Sequence, residues 1–343
     1  MERDVKPKNA MNDSQLEAAN EVAALQDPLL CNSELPLRGM YHPQGFSVEI
    51  TTNSHEVLAA AEESWGQFHQ LFSEAPIRFR IGAMKGNSEE CSPTPVFRSW
   101  LGLLSIAGDT ENFAVCDIGR GYGFGWFTHA TVENRAYFRY HFLEAMTWMT
   151  LDPKYITSIH GACVKLAGKT ILLCGDSGAG KSSLSFACAR RGWTFLSDDS
   201  TSLVRNRENR LVVGNPYSMR FREASIDLFP ELKQQRITPL ATGEMAIELA
   251  TASMPEIATA LSSSVDCIVF LNRQKSGPPH LAAYSKEAAS SWFKQLVRYG
   301  EKKDQEARDP ALRHLLAVPV YELCYRDLDW AVNRLEALVR EGA

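Results

Sequence analysis

The 343-residue chain has no apolar run approaching the roughly 18–20 residues that a membrane-spanning helix needs. Neither sign of charge dominates it. Thirty-six Lys and Arg stand against 41 Asp and Glu, a net charge of −5. That balance argues against a protein whose main task is gripping a nucleic-acid backbone. There is no Cys-x-x-Cys pair: the eight cysteines are scattered, several inside apolar runs. Reduced core thiols in a cytoplasmic protein are therefore expected, rather than a disulfide or zinc framework. The start, Met1-Glu-Arg-Asp-Val5, has mixed charge and no apolar stretch after it, so no secretory signal is expected. Seven histidines (42, 55, 69, 129, 141, 280 and 314) show no metal-ligand spacing. No internal repeat is visible. What is left, 45% hydrophobic and 22% charged, is ordinary globular composition. The length suggests about two domains.

The chain divides into three stretches. Residues 1–40 are polar and read as a loosely held tail, with a weak helix over 13–25. Residues 41–152 read as a smaller α+β domain without an assigned role. In it, Leu58, Ala61, Trp65, Phe68 and Phe72 recur at three- and four-residue steps and predict one amphipathic helix. Strands are expected at 77–81, 100–106 and 113–118, with a loop at 86–95. A second helix is expected over 133–149, capped by Thr131 or Asn134 and ended at Asp152-Pro153. Residues 153–343 carry the sharper signals. A strand over 155–166 turns at Gly168-Lys169 into a fully apolar strand, 170–174. A short helix over 182–191 is stopped by Gly192, and a strand over 193–196 ends at Asp198-Asp199. Farther on come a buried strand (265–271) and a helix capped by Ser285 with 289, 292, 293, 296 and 297 inward. Gly300 follows it. The last elements are a strand (318–325) and a helix capped by Asp327. The charge run 302–308 reads as a solvated loop.

One motif stands out. Gly175-Asp-Ser-Gly-Ala-Gly-Lys-Ser182 fits G-x-x-x-x-G-K-[ST] at every fixed position, with an apolar strand before it and a helix after it. Glycines let successive backbone N–H groups turn inward around phosphate oxygens, and the helix N-terminus adds partial positive charge. Lys181 is placed to reach the β- and γ-phosphates, and the Ser182 hydroxyl to ligate Mg²⁺. Asp198 and Asp199 follow the next strand. Paired carboxylates there suit two tasks, completing a Mg²⁺ shell and accepting a proton from an attacking hydroxyl. His160 precedes the hairpin. A second glycine-rich run, Gly119-Arg-Gly-Tyr-Gly-Phe-Gly125, looks like a nucleotide loop but leads into β-like sequence, so a hairpin or turn is expected. The aromatic stripe Tyr137, Phe138, Tyr140, Phe142 and Trp148 reads as core and domain interface.

The order His160, glycine loop, Asp-Asp resembles the catalytic domain of the HPr kinase/phosphorylase family. The residues that carry it are Ser158-Ile-His-Gly-Ala-Cys-Val164, Gly175 to Ser183, and Leu196-Ser-Asp-Asp199, with Arg190-Arg-Gly192 supplying the turn. The likeness is dense over 155–204 and sparse beyond. It implies a mixed-sheet α/β P-loop kinase domain of the type shared with phosphoenolpyruvate carboxykinases, binding ATP and Mg²⁺. It implies nucleotide contacts from Gly175, Asp176, Ser177, Gly178, Ala179, Gly180, Lys181, Ser182 and Ser183. Asp199 would accept the proton of a protein serine, supported by Asp198, Lys181 and His160, and Ser182, Asp198 and Glu223 would hold the metal. The family's downstream Glu-x-Arg-Gly signature is absent; Asn215 to Glu223 stands there, with Arg220 and Arg222. No Pro-Gly-Arg-Asn element of the kind tied to the phosphorylase reaction is found. Either arginine suits a γ-phosphate, or lies on the surface of a β-ribbon. The expected function is an ATP-dependent kinase acting on a protein serine. A kinase of small molecules or peptide natural-product precursors and a nucleotide sensor with little turnover are the alternatives. The acceptor is not legible, no nucleic acid or membrane partner is expected, and a homo-oligomer is compatible with the resemblance.

Overall fold

The computed structural model describes residues 30, 33–235, 237–239, 245–274, 276–296 and 302–341. The weak helix expected over 13–25, and the helix end near Val297 and Gly300, lie outside them. The described part is a mixed α/β structure with four sheets.

Seven strands build the first sheet: β1 (Leu37–Tyr41), β2 (Val48–Thr52), β3 (Ile77–Met84), β4 (Val96–Trp100), β5 (Leu103–Ala107), β6 (Phe113–Asp117) and β7 (Tyr122–Thr128). Their order is β1-β2-β3-β7-β6-β5-β4. The strand expected over 100–106 is instead the second half of a hairpin. Leu101 and Gly102 both take positive φ and turn the chain, so β4 pairs with β5. The glycine-rich run at 119–125 is a hairpin, as expected: β6 and β7 pair around it. Helix α1 (His55–Trp65) ends at Gly66, short of Phe68 and Phe72. Those two rings still pack on the core, from the loop: Phe72 lies 4.4 Å from Phe46 between ring centres.

The second expected helix is broken into α2 (His129–Glu133), α3 (Arg135–Phe138), a π-helical stretch (Arg139–Glu144) and α4 (Ala145–Lys154). Thr128 caps its start, accepting from the Thr131 N–H. Pro153 does not end it. The last turn runs through the proline because Asp152 is anchored on its flank, accepting from the Ser158 N–H and the buried Arg308 guanidinium. Of the aromatic stripe, Phe138 and Phe142 are buried in the core, while Tyr140 is exposed.

From here strands alternate between sheets. β8 (Ile156–Ile159) and β9 (Gly161–Leu166) were expected as one strand. They are separated at His160 and belong to different sheets. β10 (Lys169–Cys174) returns from β9 through a tight turn at Ala167-Gly168. Helix α5 (Lys181–Arg190) leads to β11 (Thr194–Ser197) and, after another break, β12 (Thr201–Val204). β13 (Leu211–Val213), β14 (Ser218–Phe221), β15 (Ile237–Pro239), β16 (Met245–Ala250) and β17 (Ser262–Ser264) are short. They precede β18 (Cys267–Arg273) and β19 (His280–Ala283). Helices α6 (Lys286–Leu296) and α7 (Lys302–Leu315), then β20 (Val320–Tyr325) and α8 (Leu328–Glu341), complete the chain. The run 302–308 is therefore the start of a helix and not a loop; buried Arg308 ties it to Asp152.

The six-stranded sheet has the order β11-β9-β10-β18-β20-β19, with β10, β18 and β20 parallel. Its strands alternate between two cores, as a period of two demands. Ile171, Leu173, Val269 and Leu271 face α5 and α8, meeting Leu184, Val332 and Leu335. Leu172, Cys174, Ile268 and Phe270 face α6 and α7, meeting Phe293 and Leu315. The four-stranded sheet, β17-β13-β12-β8, bridges to the first sheet. Val204 and Val213 enter the first sheet's core, while their neighbours Leu203 and Val212 enter the other. Among the described residues, no helix is long and apolar enough to cross a membrane. Seven cysteines are described and all are free; burial raises the thiol pKa of Cys116, Cys163, Cys174, Cys188 and Cys267.

Candidate functional site

Two neighbouring pieces of backbone leave one sheet and enter another at the same level. β9 pairs with β11 in the six-stranded sheet, and β8 pairs with β12 in the four-stranded one. The gaps between them hold His160 on one piece and Asp198-Asp199-Ser200 on the other. Thr201 pins this corner, its hydroxyl donating to the Gly161 carbonyl at 2.8 Å and lying 2.6 Å from the Ser197 hydroxyl. His160 and Asp198 to Ser200 thus lie between strands, outside both ladders.

The glycine loop stands beside the corner. β10 ends at Cys174, and α5 begins at Lys181. Gly175, Gly178 and Gly180 all have positive φ. Gly180 is also packed against Tyr325, whose hydroxyl donates to the Ala179 carbonyl at 2.9 Å. A Cβ at Gly180 would lie 2.3 Å from that hydroxyl oxygen. The Tyr325 pKa is pushed up to about 12 by burial, so the phenol stays a donor.

Lys181 joins loop and corner. Its side chain is only 5% exposed. It donates to the Gly175 carbonyl at 2.9 Å and lies 3.0 Å from His160 Nε2. His160 Nδ1 lies 3.2 Å from Asp199 Oδ1, which is itself 3.8 Å from Nζ. A protonated lysine has only donors, so it assigns Nε2 as acceptor and leaves the imidazole proton on Nδ1, facing the carboxylate. Burial lowers the His160 pKa, with Asp199 opposing and Lys181 reinforcing the shift. Burial also lowers that of Lys181, against the pull of Asp199. The result is a compact triad in which Asp199 and Lys181 form an ion pair and the His160 ring lies against both.

Asp198 points elsewhere. Its Oδ2 accepts from the Arg220 N–H at 2.6 Å, and its carbonyl accepts from the Ser182 hydroxyl at 3.4 Å. Desolvation pushes its carboxyl up to about 6, partly offset by the Arg220 N–H. The two downstream arginines differ. Arg220 turns its guanidinium to Glu248, whereas Arg222 reaches the loop and donates to Ser177 Oγ at 3.0 Å. Glu223 is exposed just beyond β14. Among the described residues, no group of three His, Cys, Asp or Glu side chains is spaced to hold a metal ion.

Two contacts escaped the sequence. Trp292 on α6 donates from Nε1 to Asp176 Oδ1 at 3.0 Å, and Tyr325 braces Gly180. Trp292 carried a signal only as an inward helix position, and Tyr325 only as a strand end. Their separations from the loop, 116 and 146 residues, put them beyond local reading.

The comparisons with known proteins fall on this stretch and define a kinase-like segment. Residues 154–222, from the end of α4 through β14, match the HPr Serine kinase C-terminal domain. Sixty residues are 38% identical to the HPr kinase/phosphorylase of Halalkalibacterium halodurans, and 35% identical to that of Bacillus mycoides. Each match covers 18% of this chain and 19% of the relative. Among solved structures, the Hpr(Ser) kinase/phosphatase from Coxiella burnetii aligns at 14% identity with a TM-score of 0.29, over 54% of this chain and 99% of that one. The glycine loop and the Asp-Asp corner are thus HPr-kinase-like.

Proposed function

We propose that the chain is an ATP- and Mg²⁺-dependent kinase that transfers a phosphoryl group to a hydroxyl, with a protein serine as acceptor. The observation that carries the reading is the Asp199–His160–Lys181 cluster beside a left-handed glycine loop that opens a helix. Phosphoryl transfer asks little covalent chemistry of a protein; positioning and charge neutralisation supply the rate. Lys181 exchanges the loop carbonyls for phosphate oxygens, and the loop N–H groups and the α5 N-terminus neutralise the rest. Asp199, exposed at the corner, takes the proton of the attacking hydroxyl. His160, its Nε2 accepting from Lys181 and its Nδ1 beside Asp199, braces the Lys181–Asp199 ion pair. Arg222, already on Ser177, is the guanidinium within reach of a terminal phosphate.

The donor set fits Mg²⁺. That ion prefers hard oxygen ligands, keeps several waters and relies on substrate phosphates, so one hydroxyl and one or two carboxylates suffice. Ser182 lies against the Asp198 backbone carbonyl, and the Ser182 hydroxyl and Asp198 would hold it, with Glu223 as a further carboxylate candidate. The raised Asp198 pKa also fits, because a cation would relieve the cost of its desolvated charge. Bound there, the ion would neutralise charge on the transferring group. The test is incubation with γ-labelled ATP, Mg²⁺ and cell extract. A labelled protein band supports the proposal. Label in the small-molecule fraction moves the acceptor to a small molecule or peptide precursor, and binding without transfer makes the chain a sensor.

A further inference from the structure

On the far side of the glycine loop from Asp199 lies a cleft of about 450 Å³. The loop, Gly175 to Ala179, forms one wall; Phe270 to Arg273, Tyr284, Trp292 and Glu322 form the other. It opens over the carboxyl ends of the parallel strands β10 and β18, where open α/β sheets take their ligands. We propose that this cleft binds the nucleoside half of the triphosphate, with the base against Tyr284 and Trp292. The inference rests on the kinase reading and extends it to the part of the substrate that the phosphate loop does not touch.

Three observations support it. The aromatic groups form one built wall. Tyr284 stacks on Phe270 at 4.7 Å with an interplanar angle of 25°, and Trp292 meets Phe270 edge-on at 5.1 Å. Phe270 is buried, while Tyr284 and Trp292 keep part of their surface in the cleft. Such half-covered rings suit the face of a base, whatever its sequence of edge groups. The cleft floor is polar: Asn272 Nδ2 donates to Glu322 Oε1 at 2.9 Å. The Glu322 carboxylate has a second acceptor oxygen for an N–H edge. Finally, the wall is tied to the loop through Trp292 Nε1 and Asp176 Oδ1. Along the sheet order β11-β9-β10-β18, the acceptor-side carboxylate follows β11, the phosphate loop β10 and the aromatic cleft β18. A nucleotide laid across that edge has its γ-phosphate toward Asp199 and its base away from it.

Calorimetry on the full chain with Mg²⁺ separates the two halves of the ligand, using ATP and inorganic tripolyphosphate. Tyr284→Ala should weaken ATP binding about tenfold and leave tripolyphosphate binding unchanged, while Tyr284→Phe keeps both. Unchanged tripolyphosphate binding also reports an intact fold. Wild-type ATP affinity in Tyr284→Ala would overturn the inference. So would equal losses for both ligands, since a base-stacking residue touches no phosphate. If the wild-type chain bound neither ligand, the phosphate-loop reading itself would fail and the cleft would fall with it.

Discussion

The chain holds two glycine-rich segments that look alike as text and differ in physics. In the first sheet, Gly123 and Gly125 lie inside β7, where a Cβ would meet Phe79 and Cys116, or the Phe113 carbonyl, within 3.0 Å. Those glycines let strands and rings close up. In the loop at 175–180, a Cβ at Gly178 would meet nothing within 4 Å, yet the backbone sits at φ +86. That glycine serves conformation and leaves open space beside the loop. One segment is needed for packing, the other for a concavity. The titratable groups follow the same division. In the first region Asp117 is held below the usual carboxylate range by the Arg120 N–H and the Arg120 side chain. At the corner, Asp198 is pushed up to about 6 by lost solvation. A surface region arranges its charges cheaply, whereas the corner keeps a costly one, as sites of chemistry tend to do.

Mutations in the two segments should therefore part company. The largest effect is expected from Lys181→Ala, which should cut phosphoryl transfer at least about a hundredfold, measured with labelled ATP. A smaller loss would mean that Lys181 serves the loop carbonyls rather than phosphate. Next, Gly180→Ala should cost about 2 kcal/mol or more, from positive φ and the displaced Tyr325 hydroxyl, and should abolish nucleotide binding. Gly123→Ala should cost about 1–3 kcal/mol by overpacking and leave nucleotide affinity intact. Denaturant unfolding and calorimetry on both variants check the pair, and nucleotide loss in Gly123→Ala would erase the distinction drawn between the segments.

The smallest effect concerns pH. Asp198 has a folded pKa raised above its unfolded value of 3.8. Its contribution to stability is fully present below that value and is lost as pH rises through about 6. Asp198→Asn should thus stabilise the chain by about 1–2 kcal/mol at pH 7.5, by about half as much at pH 5 and by little near pH 3. Asp117 has the opposite sign: its depressed pKa gives stability above the unfolded value that is lost on acidification. Asp117→Asn should lower stability slightly at neutral pH. Unfolding curves at pH 7.5, 5 and 3 read both signs, because the Asp117 contribution is lost only below its unfolded value of 3.8.

Much of the candidate site was legible because it is local. Gly175 to Ser182 is one uninterrupted motif between a strand and a helix, and Asp198-Asp199 closes the next strand. His160 was legible as a candidate but not as a corner, since periodicity runs through 155–166 without showing that two sheets share the segment. The roles of Arg220 and Arg222 could not be separated by text alone. Arg220 lies on β14 opposite Glu248 of β16, whereas Arg222 stands just past the strand end and reaches Ser177. The strand misplaced at 100–106 shows the same limit. Leu101-Gly102 makes a turn inside an apolar run, and the glycine was the one available sign of it. The run at 302–308 looked solvated because charge dominated its composition; the partner that buries Arg308 is Asp152, 156 residues away.

The central claim is that Asp199 is the proton acceptor of a phosphoryl transfer, separate from the machinery that binds nucleotide. The most direct measurement compares wild type and Asp199→Asn for two quantities: ATP affinity, and the rate at which label moves from γ-labelled ATP to the acceptor fraction. ATP binding within a few-fold of wild type, with transfer lost by about a hundredfold or more, is the predicted result. Transfer at the wild-type rate by Asp199→Asn would contradict it.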